Sequence, residues 1–200
     1  MVKTIFLYIL ILFLFLFSTF NLAKAVEGEY RMGVEFGFST EAVETPIKPA
    51  QEIANTSGSA GTLANDSRGF VGRIFSDYGI TSDVSIELGY FQTSSVDAEY
   101  TFSGSSSTVT YNASGFDLSG LVKDKSGFYG KAGLHSATMN GPSQITIGGT
   151  TYTGLTSEVD GSGALLGVGY EKDNIRYSFT HYNNLADTTD LNLFSIGFMF

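Results

Sequence analysis

The residues of this 200-residue chain that could do chemistry are set out by alternation rather than by a compact motif. Glu35, Glu87 and Asp117, and with them Arg73, Lys131 and Arg176, each sit in a run where every second residue is apolar. Strand side chains point alternately to opposite faces, so phase alone puts three carboxylates and three cations on one side. Packed together in a narrow space they must pair, because an uncompensated buried charge is costly. In a wetter space they could line an ion path. A second candidate is His181, in Phe179-Thr-His-Tyr-Asn-Asn184. An imidazole there could move a proton, but acyl transfer also needs a nucleophile within reach, and the neighbouring Asn183 is an amide. His135, at the end of another alternating run, reads as a residue hydrogen-bonded in the lumen or at its rim. The third candidate is a surface. Glu41, Glu44, Glu52, Asp66, Asp97, Glu99, Glu158, Asp160, Asp187 and Asp190 lie between the alternating runs, with Lys48 the only base between Ser39 and Asp66.

Other chemistry is excluded by what is missing. There is no Cys, so no disulfide scaffold, thiolate metal site or thiol nucleophile. Two His leave little for a histidine metal site, and no calcium-loop spacing is present. None of the 24 Gly forms a phosphate loop between a strand and a helix. No cofactor and no metal are therefore expected. With 20 acidic and 11 basic residues the chain carries −9, which suits no nucleic acid. Charged residues make up 16%, against about 25% in an average soluble domain. Together with 11 Tyr and 17 Phe, this predicts one domain of strands and turns with little charged surface.

The elements that position these residues follow an export address. Met1–Ala25 has Lys3, an unbroken apolar stretch Ile5–Phe17 and an Ala23-Lys24-Ala25 cleavage pattern, which reads as a secretory signal peptide. The remaining domain is Val26–Phe200. Losing Lys3 and Lys24 leaves 9 basic and 20 acidic residues, a charge of −11. Period-two patterning then predicts eight strands: Glu29–Phe38, Arg68–Ser76, Val84–Gln92, Phe116–Lys123, Phe128–His135, Gly163–Tyr170, Ile175–Tyr182 and Asn192–Phe200. In Arg68–Ser76 the apolar face is Phe70, Gly72 and Ile74, because the other phase would turn Arg73 toward it. Short connections (Asp77–Asp83, Asp124–Gly127, Glu171–Asn174) alternate with longer ones (Ser39–Asp66, Thr93–Ser114, Ser136–Ser162, Asn183–Leu191). That order fits an all-β, eight-stranded antiparallel up-and-down transmembrane β-barrel, with short turns at one end and loops at the other. Closure pairs every strand edge, as a lipid environment requires. A soluble barrel of opposite polarity fits less well. The small and charged residues form one set, aromatics gather toward the strand ends of the other, and the polar loops lie at one end only. A projecting hairpin is expected at Gln144–Thr153, about Gly148-Gly149.

The last strand, Asn192-Leu-Phe-Ser-Ile-Gly-Phe-Met-Phe200, resembles the terminal recognition signal of bacterial outer-membrane barrels. Gly127-Phe-Tyr-Gly-Lys-Ala-Gly-Leu134 resembles a central strand of the small OmpA-like, opacity-type barrels. Ala164–Tyr170, a tight turn and Arg176–Tyr182 resemble the penultimate hairpin of the same family. The likeness spans Val26–Phe200 as a strand pattern. It implies a place in the cell outer membrane of a Gram-negative-type bacterium. It also implies an assembly signal at Phe194, Ile196, Phe198 and Phe200, read by the barrel-assembly machinery. No peptidoglycan-binding domain follows the last strand, so no cell-wall tether is expected.

Three functions stay open on this reading. One is a non-enzymatic, monomeric barrel contributing to envelope integrity or surface contact through acidic loops. Its partners would be outer-membrane lipids, lipopolysaccharide and a host or matrix surface, with divalent cations as bridges to lipopolysaccharide phosphates. The second is a narrow porin, with Glu35, Arg73, Glu87, Asp117, Lys131 and Arg176 along its path. Eight strands leave an interior just wide enough for side chains to fill, which argues against a wide pore. The third rests on Phe179–Asn184, which resembles the His-x-Ser-Asn of a lipid A deacylase barrel. Asn183 stands where the nucleophilic Ser is needed, which disfavours a lipid A-modifying enzyme.

Overall fold

The structure, a computed structural model, describes residues 28–39, 62–65, 69–102, 105–141, 144–147, 149–153, 158–185 and 189–200. The expected signal peptide and the acidic Glu41, Glu44, Glu52, Asp66 and Asp187 lie outside the described residues. Twelve strands are described: β1 (Tyr30–Ser39), β2 (Thr62–Asn65), β3 (Phe70–Gly79), β4 (Val84–Thr93), β5 (Val96–Phe102), β6 (Ser105–Lys123), β7 (Phe128–Asn140), β8 (Gln144–Ile147), β9 (Thr150–Thr153), β10 (Glu158–Lys172), β11 (Ile175–Leu185) and β12 (Thr189–Met199). Eight of them, β1, β3, β4, β6, β7, β10, β11 and β12, pair antiparallel in that order. β12 closes on β1 through seven register pairs from Gly33↔Met199 to Ser39↔Leu193. The ring therefore has no free edge. β8 and β9 form the expected Gln144–Thr153 hairpin.

Alternation decides which way each side chain points. Phe36, Phe70, Ile74, Leu88, Leu118, Leu134, Leu166, Val168 and Ile196 face outward and are exposed, while Glu35, Arg73, Glu87, Asp117 and Arg176 are buried within the ring. Rings pair at both ends of the apolar band. Tyr30 with Tyr78 and Phe128 with Tyr170 lie at the turn end, with centroids 4.7 and 4.9 Å apart. Tyr90 with Phe116 and Phe179 with Phe194 lie at the other end, at 5.0 and 4.7 Å. The eight steps from Tyr30 to Phe38 are about 26 Å of strand, enough for a tilted strand to cross a hydrocarbon layer. A chain with a greasy outside and a charged inside is a multi-pass membrane barrel.

Short turns need local help. Between β6 and β7, Gly127 takes φ +101° and its amide donates to the Asp124 carbonyl at 3.2 Å. The Asp124 carboxylate accepts the Ser126 hydroxyl at 2.7 Å and the Phe128 amide at 3.0 Å. The Ser126 hydroxyl chiefly, and these amides, hold that carboxyl below the usual aspartate range. The turn thus keeps its bonds above the ordinary aspartate pKa, and loses them only as pH falls through the depressed value.

The strands are longer than period two suggests at the loop end. The stretch expected as a loop over Thr93–Ser114 is the β5–β6 hairpin, paired from Val96↔Tyr111 to Phe102↔Ser105. β7 runs on to Asn140, and β10 starts at Glu158. These stretches do alternate (Val96, Ala98, Tyr100 and Phe102 on β5, Val109, Tyr111 and Ala113 on β6), but on β6 and β7 the apolar residues switch to the other phase, so an apolar face followed up from the barrel ends early.

Leu88→Arg or Val168→Arg should each cost about 2–4 kcal/mol, as expected for a charge turned toward mid-bilayer. Thr108→Arg, exposed on the projecting part of β6, should cost less than about 0.5 kcal/mol. Urea unfolding from lipid vesicles separates the two classes, and equal tolerance would contradict the strand phases.

Candidate functional site

The interior is built in three layers. Nearest the turns, Arg31 donates to Asp77 and, at 2.5 Å, to Glu171. Lys123 Nζ donates to the same two carboxylates at 3.0 and 3.2 Å. The middle layer holds the six residues singled out by alternation. Arg73 is its hub: Nη1 reaches Glu35 at 3.0 Å, Nη2 reaches Glu87 at 2.7 Å, and Nε and Nη2 grip Asp117 as a fork at 2.9 and 2.6 Å. Such a planar fork is what arginine offers and lysine does not. Arg176 donates to Glu87 and joins the layers through Glu171 at 3.3 Å. Its guanidinium lies between the Phe75 and Tyr129 rings, 4.4 and 5.2 Å from their centroids. Lys131 Nζ stands 3.8 Å from Glu87.

Backbone makes the room. Arg73 and Glu35 are direct register partners across β1 and β3. Gly89, opposite Arg73's far end, has no side chain where a Cβ would come within 2.6 Å of the guanidinium carbon. Across both layers, Arg31, Arg73, Lys123, Lys131 and Arg176 face Glu35, Asp77, Glu87, Asp117 and Glu171. Five cations meet five carboxylates, so these layers carry no net charge. Arg31, Asp77, Lys123 and Glu171 were not among the six. Asp77 and Glu171 read as turn residues because strands β3 and β10 extend past their last apolar alternation. The usable signal was their opposite sign to Arg31 and Lys123 at the same end.

The third layer differs from the hydrophilic filling that alternation implies. Toward the loops the inward residues are apolar: Val71, Phe91, Ala113, Ala137, Leu165, Tyr182, Leu185, Leu191 and Leu193 form one buried cluster. A bulge between Tyr182 and Leu185, with Asn184 at φ +57°, turns Leu185 into it. The Tyr182 hydroxyl reaches down to Asp117 at 3.3 Å. His135 lies at this boundary, Nε2 2.8 Å from the Asn183 carbonyl oxygen and its ring edge-on to Tyr182.

The outer wall reverses in step. Above the Phe116↔Ser136↔Ser162 rung, the outward residues of β6, β7 and β10 are polar while the inward ones, such as Ala113, Ala137 and Met139, are buried and apolar. Within the bilayer zone the barrel is inside-out, and beyond that rung it has the polarity of a soluble protein. The rung therefore marks the hydrocarbon boundary.

His181 points outward at that boundary. Its Nδ1 lies 2.8 Å from Asn192 Oδ1 and its Nε2 lies 3.8 Å from Asp190. Asn183 donates to Asp190 at 3.3 Å. The contacts around His181 are amides and a carboxylate. Of the expected assembly-signal residues, Phe194, Ile196 and Phe198 face outward on β12. Phe200 pairs with Met32 through backbone bonds of 2.9 and 3.1 Å. Among the described residues no group of His, Asp and Glu is arranged to hold a metal ion.

No protein-family model matches the sequence, and no curated protein matches it. Solved structures do. The outer membrane protein OprG from Pseudomonas aeruginosa is similar at 8% identity and a TM-score of 0.50, over 90% of this chain and 99% of that one. Ail, the attachment invasion locus protein of Yersinia pestis, is similar at 10% identity and a TM-score of 0.47, over 88% of this chain and 100% of that one. Neisserial surface protein A is similar at 14% identity and a TM-score of 0.40, over 85% and 94%. The likeness to OprG shows the fold, and this chain carries the eight-stranded outer-membrane barrel fold.

Arg73→Met should cost about 3–5 kcal/mol, because Glu35, Glu87 and Asp117 lose a shared buried partner. Arg73→Lys should recover only part of that, an ammonium being unable to fork. Unfolding free energies in vesicles check both, and a neutral Arg73→Met would show the layer to be solvated.

Proposed function

We propose that the protein is a closed, non-enzymatic, monomeric outer-membrane barrel that contributes to envelope integrity or surface contact through its acidic outer end. The observation that carries this reading is the double stopper. A charge-neutral ion network fills the middle of the barrel, and an apolar layer headed by Phe91, Tyr182 and Leu193 caps it. An ion moving through would have to break the network and then cross an apolar layer whose one polar side-chain group, the Tyr182 hydroxyl, already turns back to Asp117, which is far more costly than either obstacle alone.

With five cations facing five carboxylates, the filled interior does not account for the acidic excess of the sequence. Glu158, Asp160 and Asp190 stand at the loop end, the end that a barrel of this kind turns to the exterior. The partners that fit are the surrounding lipids and lipopolysaccharide, with Phe194, Ile196, Phe198 and Phe200 as the segment offered to the assembly machinery. The amide and carboxylate setting of His181 supports a structural, non-catalytic role for it.

The test is single-channel recording on protein whose insertion is verified by a heat-dependent gel shift. The expected outcome is an inserted barrel with no reproducible conductance steps. Reproducible steps that vanish in Lys131→Met would make it a narrow porin instead. Release of acyl chains from lipid A, lost in His181→Ala, would make it an enzyme.

A further inference from the structure

The polar rungs above the hydrocarbon boundary face sideways, along the membrane plane. Along β7 the outward side chains run Leu134, Ser136, Thr138 and Asn140; along β10 they run Ala164, Ser162, Asp160 and Glu158. Register sets Ser114, Thr138 and Asp160 on one rung and Asn112, Asn140 and Glu158 on the next. This face shares its strand phase with the lipid-facing belt and begins one rung above it. It therefore lies at the depth of the lipid headgroups.

The composition of the two rungs narrows what they can hold. They offer two carboxylates, two amides and two hydroxyls, and no cation. Carboxylates repel phosphate at this range. Carboxylates and amides together accept from, and donate to, neighbouring hydroxyl groups. The side chains are partly fixed. Thr138 donates to Asp160 Oδ1 at 2.5 Å, and Asn140 Nδ2 donates to Asn112 Oδ1 at 3.4 Å. These bonds engage one of the two Asp160 oxygens and leave the Asn140 carbonyl oxygen outside the pair. Below them the Phe116 and Tyr90 rings offer apolar surface to a sugar ring.

We propose that this face of β6, β7 and β10 binds the sugar headgroups of glycolipids in the outer leaflet, through hydroxyl groups rather than phosphates. The inference rests on the reading of the chain as a closed membrane barrel and names a partner class for its outer wall. Continuity with the lipid belt selects a membrane-tethered sugar over a soluble one.

The test uses the mature chain inserted into phosphatidylcholine vesicles containing a minor fraction of digalactosyldiacylglycerol or, separately, of phosphatidylglycerol. After extraction in mild detergent, the lipid retained by the protein is compared with the bulk. The galactolipid is expected to be enriched about three-fold, the scale of one net hydrogen bond, and phosphatidylglycerol is not. The Asn140→Ala/Asp160→Ala double variant is expected to retain lipid at bulk composition, with Asn140→Ala alone intermediate. Absent galactolipid enrichment, equal enrichment of phosphatidylglycerol, or enrichment unchanged in the double variant would overturn the proposal. A missing gel shift or reproducible conductance would instead count against the closed-barrel reading. Normal insertion without conductance and without enrichment counts against the sugar face alone.

Discussion

A charged side chain inside an eight-stranded barrel has neither bulk water nor lipid headgroups to turn to, so it must find its counter-charge across the ring. That requirement organises the interior. Arg73 meets carboxylates from three other strands, Glu35 on β1, Glu87 on β4 and Asp117 on β6. Arg176 ties β11 to β4 and to the end of β10. These pairs form only when the strands stand in one stagger, because a slip of one residue would turn every charge toward lipid. The network stabilises less by its own attraction, which desolvation largely offsets, than by penalising each wrong register.

The same constraint explains why polarity reverses along a single strand. On β7, Lys131 points in and Leu134 points out, while a few residues on Ala137 and Met139 point in and Thr138 and Asn140 point out. Strand phase never changes; the surroundings do. Below the Phe116 rung the outside is hydrocarbon and the inside is a charge network. Above it the outside is wet, and the hydrophobic effect draws apolar residues inward as in any soluble sheet. The apolar layer that stoppers the barrel is thus the core of its water-exposed crown.

Period two made the architecture legible, and its limits mark what was not. Arg73 could be phased because the opposite choice would have set a guanidinium among Phe70 and Ile74, and the structure buries it. The inward placement of the six alternating charges followed from the same logic. Asp77 and Glu171 were hidden because they lie at strand ends, where a charge looks like turn chemistry. Tyr111 and Ala113 were hidden for a different reason. Val109, Tyr111 and Ala113 do alternate with polar residues, but in the opposite phase to Phe116 and Leu118 below them, so no single apolar face runs through the strand, yet Tyr111 and Ala113 are buried. Leu185 depends on a bulge and a left-handed Asn184, which no pattern of hydrophobicity encodes. Sequence patterning reads faces well where the two sides differ in polarity, and poorly where partners arrive from distant strands.

Uneven wall height bears on where recognition can occur. β6 has 19 residues, β10 has 15 and β7 has 13, whereas β1, β3 and β4 have 10 each. A barrel that only sealed a hole would gain nothing from one tall side. Extra strand fixes backbone that a loop would leave free, and that ordering costs about 1–2 kcal/mol per residue before any contact offsets it. Here the offset comes from the buried inner face at Tyr111, Ala113 and Met139, which leaves the outer face rigid and free to meet a partner without further ordering. Rigid, sideways-facing surface is suited to ligands that diffuse in the membrane plane, and loops above it to ligands that arrive from solution. On the closed-barrel reading proposed above, these two outer surfaces are where the barrel acts.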